Sequence, residues 1–255
     1  MLLFKSETIM RIATCFLMVF LYFTTLAKAQ FTPGTRMVGF SVASAFFNSG
    51  KSEFSVPSPT TSGFTSNTNS YGVSLTPNIG WFVSSDLAVG GRIVLGYDYD
   101  KNIDDANNIT FRKDIEQSFN ISLGAFARKY FSAQGFMPFA QINVDAGTGS
   151  SKKEGFYYAT GYKETYKGKS SGDFTADAGL SLGLTKMLSS TVGLDITAGY
   201  LYSHNKNTFK TTTQKDLDYN GTIDEEGISE LTTMSNNHGF NIGVGLQVFL
   251  NRKNN

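Results

Sequence analysis

The sequence predicts an all-β fold: a single up-and-down antiparallel transmembrane β-barrel of eight strands, following a cleaved signal peptide. Three observations carry that expectation. Apolar and small polar residues alternate with a period of two over many runs, which is the spacing of a strand with one apolar face. Short and long connections between the runs alternate along the chain. The runs are too poor in charge for a water-facing sheet, with 22 of the 39 charged residues after position 29 falling in the long connections.

The chain begins with an export signal over residues 1–29. Lys5 and Arg11 give a positive start, an apolar stretch follows, and Ala27-Lys28-Ala29 supplies an A-x-A cleavage pattern before Gln30. Met10 offers a second, compact start. Residues 30–255 then form one domain with 19 basic and 20 acidic side chains. That balance gives no basic footprint for a nucleic acid. The only cysteine, Cys15, lies in the signal, so the remainder has no disulfide, thiolate metal site or cysteine nucleophile. No later apolar run is long enough for a membrane helix, but barrel strands carry a weaker, alternating signal.

The first run, 37–47, places Val38, Phe40 and Val42 on one face. The second and third, within 72–99, make the clearest hairpin. Val73, Leu75, Ile79, Trp81 and Val83 precede the turn Ser84-Ser85-Asp86, and Leu87, Val89, Ile93, Leu95, Tyr97 and Tyr99 follow it. Their other face holds Gly, Ser, Thr and Asn with few charges. Such a face suits a narrow lumen, and the apolar stripe suits lipid. The fourth run, 111–131, carries Phe119, Ile121 and Leu123; the fifth, 136–148, carries Ile142 and Val144. The sixth, 173–187, carries Leu180, Leu182 and Leu184, and the seventh, 191–203, Leu194, Ile196, Tyr200 and Tyr202. The eighth, 238–251, runs through Phe240, Ile242, Val244, Leu246, Val248 and Leu250.

Short turns are expected at 84–86, 132–135 and 188–190, and long polar loops at 48–69, 100–110, 149–172 and 204–237. With an even strand number, the short turns share one end with both termini. In an outer-membrane barrel that end is periplasmic and the long loops are extracellular. Trp81, Phe82, Tyr130, Phe131, Phe136 and Phe249 near the turns, with Tyr97, Tyr99, Tyr200 and Tyr202 toward the loops, read as the two aromatic girdles. Glycines at strand positions are expected to ease barrel curvature.

Asn78-Ile79-Gly80-Trp81-Phe82, Arg128-Lys129-Tyr130-Phe131 and the closing strand Gly243 to Phe249 give the chain its family likeness. It resembles the small outer-membrane β-barrel (porin-like) family common in Bacteroidetes. The resemblance implies an outer-membrane place and a barrel fold, and says little about activity. The closing strand also resembles the C-terminal signal read by the barrel-assembly machinery, which is thereby implied as a partner beside outer-membrane lipid. It departs from that signal in its mostly polar tail, residues 250–255.

Inward parity gathers Arg92, Asp98, Glu116, Arg128, Asn143, Asp145, Asp177 and Asp195. Charges inside a barrel pair or stay hydrated. Eight strands leave room for little more than side chains, so a salt-bridged plug is favoured over a conducting path. Arg92 and Arg128 are expected at its centre, with Asp195 level and Asp145 and Asp177 higher.

The last long loop holds Asp216-Leu217-Asp218-Tyr219-Asn220-Gly221-Thr222-Ile223-Asp224-Glu225-Glu226. Asp216, Asp218 and Asn220 take the first, third and fifth positions of an EF-hand-type loop. Gly221 supplies the turn, Thr222 a carbonyl and Asp224 the ninth position. The twelfth is Gly227, so Glu226 or Glu225 has to substitute, and calcium binding is expected to be weak. The alternative is a solvated acidic loop. His204 and His238 flank this loop, but no His-x-Ser spacing accompanies Ser203, and rim histidines are the favoured reading.

The expected function is non-enzymatic: a barrel acting through its outer loops as a surface-interaction or envelope-stabilising protein. Alternatives are a lipid-modifying enzyme at the rim and a narrow porin-like channel. A soluble lipocalin-like carrier would need the apolar face inward and a charged exterior.

Overall fold

The computed structural model describes residues 31–54, 63–107, 109–131 and 136–250. The expected signal peptide, the expected turn at 132–135 and the tail beyond Leu250 lie outside the described residues. Eight strands are present among those described: β1 (Arg36–Phe54), β2 (Phe64–Phe82), β3 (Leu87–Ala106), β4 (Ile109–Tyr130), β5 (Phe136–Ala159), β6 (Tyr162–Met187), β7 (Val192–Asp216) and β8 (Glu225–Leu250). Each pairs antiparallel with its sequence neighbours, and β8 returns to β1, closing an up-and-down barrel.

Side-chain direction follows the alternation. Leu75, Ile79, Leu123, Ile142, Leu180, Ile196 and Val244 are all exposed, forming an apolar belt on the outside of the wall. The turn-end boundaries fall within a residue or two of expectation. There the backbone closes tightly: the Val83 amide donates to the Leu87 carbonyl (2.9 Å) and the Leu188 amide to the Val192 carbonyl (2.8 Å). The Ser84 and Ser189 hydroxyls accept the Leu87 and Val192 amides, which is why serine suits both corners.

The opposite ends correct the expectation of long loops. β5 continues to Ala159 and β6 starts at Tyr162; β7 reaches Asp216 and β8 starts at Glu225. Most of the supposed loop residues are strand. Beyond the belt both faces of the hairpins meet water, so apolar alternation vanishes while the hydrogen-bond ladder continues. Thr211, Thr212 and Thr213, all paired with β8, illustrate sequence that favours sheet without a buried face.

The closure is uneven. β1 pairs with β8 over seven residues only, from Arg36↔Leu250 to Val42↔Val244. Above that point β8 keeps its β7 partner as far as Glu225 but has no β1 partner. A register shift in β1 between Val42 and Ser44 coincides with the parting.

Candidate functional site in the barrel lumen

The lumen is closed in two layers. At the turn end Met37, Phe82, Ala88, Phe126, Tyr130, Met137, Phe139 and Phe249 form one buried apolar cluster. Phe31, just ahead of β1, folds beneath it, its ring centroid 4.1 Å from that of Phe82 and 4.7 Å from that of Phe249. This corrects the girdle assignment: Phe82, Tyr130 and Phe249 point inward, whereas Trp81 and Phe136 are exposed. Their parity was the available signal, since Phe82 shares a face with Gly80, Tyr130 with Arg128 and Phe249 with Gln247. A Cβ on Gly183 would collide with the Phe139 ring, so this lumen glycine makes room for the plug.

Above the aromatic layer lie two ion pairs. Arg128, buried, donates through one Nη to the Asp195 carboxylate (2.6 Å) and to the Tyr130 hydroxyl (3.1 Å), and through Nε to Gln141 (2.7 Å). Its guanidinium lies 4.0 Å over the centroid of Phe139. Thr185 donates to the second oxygen of Asp195 (2.6 Å). Arg92 grips Asp145 with a two-point fork, Nε at 2.6 Å and Nη at 2.8 Å, and the Asn143 amide adds a third donor at 3.0 Å. The planar guanidinium suits this work because one fork satisfies both carboxylate oxygens. A side chain at Gly124 would occupy the space of the Asp145 carboxylate.

The other three acids of the expected set stand apart. Asp98 lies on β3 in register with Gly72 and Ser118. Asp177 accepts hydrogen bonds from the Ser203 and Thr175 hydroxyls and meets no arginine. Glu116 is exposed on β4, opposite Asp100 and Lys153, and far up the strand from Arg128. Asn143, gathered by its inward parity, is a member; Gln141, Tyr130 and Thr185 were missed, and as inward neutral residues they differ in the sequence from ordinary lumen lining by nothing. A polar cavity of about 140 Å³, touched by Arg92, Arg128, Asp177 and Asp195, remains above the pairs.

At the β7–β8 tip, carboxylate oxygens of Asp216, Asp218 and Asp224 lie within 4.8 Å of one another. The Asp216 carboxylate accepts the Asn220 (3.1 Å) and Gly221 (2.9 Å) amides, Asp224 accepts the Leu217 amide (2.7 Å), and Asn220 accepts from Thr222. Glu226 is not brought there: it accepts from Gln214 at 2.8 Å, while Glu225 pairs with Lys215 at 3.6 Å. The tip therefore converges three carboxylates and lacks the closing glutamate. His204 Nδ1 meets Asn236 (2.8 Å), and the Ser203 hydroxyl, on the opposite face of the strand, is engaged by Asp177. No Ser–His pair forms at these positions.

An up-and-down β-barrel with a charge-paired, plugged lumen is the class of protein this arrangement defines. No family model and no curated protein matches the chain. Among solved structures it is similar to the outer membrane protein OprG from Pseudomonas aeruginosa, with a TM-score of 0.40 and 10% identity over 88% of this chain and 99% of that one. It is also similar to Neisserial surface protein A, at 0.31 and 16% over 84% and 96%. A third is the outer membrane protease OmpT from Escherichia coli, at 0.30 and 9% over 88% and 99%. The scores are low, and each likeness is one of general form.

Proposed function

We propose that the chain is an outer-membrane barrel that conducts no steady current and carries no catalysis, and that it acts through its tall outer hairpins as a surface-interaction or envelope-stabilising protein. In this reading the short turns and both termini face the periplasm, and the barrel-assembly machinery inserts the chain. The observation that carries it is the two-layer plug: Phe31, Phe82, Tyr130, Phe139 and Phe249 block the turn end and the Arg128–Asp195 pair lies directly above. The exposed apolar belt supports the membrane placement, because a bilayer is the solvent in which such a surface is stable. A porin-like channel needs a continuous water path that these side chains fill. A rim enzyme needs a nucleophile within reach of His204 or His238, and Ser203 is turned into the lumen.

Purified protein in planar bilayers tests the reading. The wild type should add little steady conductance. A stable, porin-sized current would overturn the plugged-barrel reading, and recovery of the protein in the soluble periplasmic fraction would overturn the membrane placement.

A further inference from the structure

We propose that the outer face of β5, β6 and β7 holds a docking site for the phosphorylated headgroup of an outer-leaflet glycolipid; the proposal rests on the outer-membrane reading above. Lys152, Lys169 and Lys210 stand directly opposite one another on the three strands. Like charges in that relation destabilise a sheet. Lys167 shares the face two residues from Lys169, and Lys206 four residues from Lys210. All five are exposed, and among the described residues none of their ammonium groups takes part in an ion pair or hydrogen bond. Only two acids border the patch in register, Glu154 opposite Lys167 and Glu230 opposite Lys210. Five lysines against two glutamates leave an excess of positive charge with nothing in the chain to neutralise it.

The wall is shaped here as well as charged. The β5–β6 ladder breaks between Gly147 and Lys152, and the β6–β7 register shifts between Ser171 and Phe174. Irregularities of this kind bend a strand and re-aim its side chains. Beside them lies a cavity of about 790 Å³ lined by Lys152, Lys167, Lys169 and Lys210 with Gln117 and Thr212, and Glu154 is the one acid in its lining. The lysines supply point charges for phosphate. The amide and hydroxyl supply partners for sugar hydroxyls.

Height selects the occupant. Phe119, Phe174 and Tyr202 are the last exposed aromatics of the belt on β4, β6 and β7. Lys152 pairs with Gln117, two residues beyond Phe119, and Lys210 lies four residues beyond Lys206, the register partner of Phe174, so on tilted strands the row of opposed lysines stands roughly 5–10 Å above those two rings. That height overlaps the headgroup zone, some 5–8 Å thick on each side of the hydrocarbon. A patch facing sideways at this height meets lipid headgroups before any other anion.

The test uses the whole mature protein and the variant K152Q/K169Q/K210Q. Vesicle flotation comes first: a wild type that stays in the aqueous phase removes the outer-membrane reading and this site with it. With insertion established, nanodiscs of phosphatidylcholine doped with bisphosphorylated lipid A are compared with nanodiscs doped with dephosphorylated lipid A, reading bound lipid by native mass spectrometry. The wild type should retain the bisphosphorylated form. The triple variant should bind it on the order of a hundredfold more weakly, whereas K129Q/K186Q, altered at the turn end, should match the wild type. Without lipid A the triple variant should be at least as stable as the wild type, since like charges have been removed. Equal retention by the triple variant, or equal binding of dephosphorylated lipid A, overturns the site. Inorganic phosphate in detergent matching lipid A in affinity shows a free-anion site and overturns the lipid assignment.

Discussion

Arg128 is the side chain whose loss should cost the barrel most. It is buried, and it answers Asp195, Tyr130 and Gln141 together. Truncation leaves Asp195, itself 2% exposed, with Thr185 as its remaining donor. Removing one partner of such a pair costs roughly 3–5 kcal/mol, whereas replacing both by apolar residues is often close to neutral. Urea unfolding in lipid vesicles should therefore rank Arg128→Met well below the double variant R128M/D195L; equal loss in both would show that the pair is not the source. On the outer face, Leu182→Arg should cost roughly 2–4 kcal/mol at mid-belt, and no loss there would remove lipid from that surface. The pairing levels are legible in the chain, because residue count from each turn sets height and parity sets face. Arg128 and Asp195 come out level on that count, and they pair. Choice of partner is less legible: Asp145 and Asp177 both sit a little higher, and only Asp145 meets Arg92, whereas Asp177 is held by the Ser203 and Thr175 hydroxyls.

The elements are legible where one face is apolar and invisible where neither is. β7 reads from the sequence as 191–203 and is ladder to Asp216, because Thr211 to Lys215 carry no apolar period. The tip that closes it holds its own order. Burial raises the Asp216 carboxyl pKa, and hydrogen bonds from the backbone of Gly221, Asp218 and Asn220 lower it by more, so the group titrates below the ordinary carboxylate value. A folded pKa below the unfolded one means that the contribution is present above the unfolded value and is lost as pH falls through the folded value. Hydrogen-exchange protection of the Gly221 amide, corrected for intrinsic rate, should thus hold at neutral pH and decline below the usual carboxylate range. Asp216→Ala should abolish the protection at every pH; protection that survives acid or the substitution would show another origin. With Glu225 and Glu226 engaged elsewhere, calorimetry should find calcium affinity no tighter than the roughly 10⁻⁴–10⁻³ M of extracellular modules. A micromolar constant would mean that one glutamate swings into the tip.

At the scale of the whole molecule, the barrel is a sealed base carrying an incompletely closed wall. Seven paired residues between β1 and β8 give a seam of roughly 18 Å at ordinary rise and tilt, shorter than a belt of about 25 Å. Phe240 and Ile242 stand beside the parting and are 88% and 73% exposed. In the outer-membrane reading the parting therefore falls within the apolar belt, where unpaired backbone groups are costly. Higher up, Glu225, Glu226 and Glu230 charge the free edge and discourage edge-to-edge association. An antiparallel strand paired on one side has alternate amides bonded and free. Hydrogen exchange resolved along β8 should therefore alternate slow and fast from Glu226 to Gly243, where only β7 is a partner, and turn uniformly slow from Val244 to Leu250, where β1 joins. Substituting Pro for Ser49, in the part of β1 above the seam, should leave that β8 pattern unchanged, whereas Gly39→Pro, within the seam, should extend the alternation down β8. Uniformly slow exchange over the whole of β8 in a bilayer would mean that β1 closes the wall to its full height and that the parting does not persist in lipid.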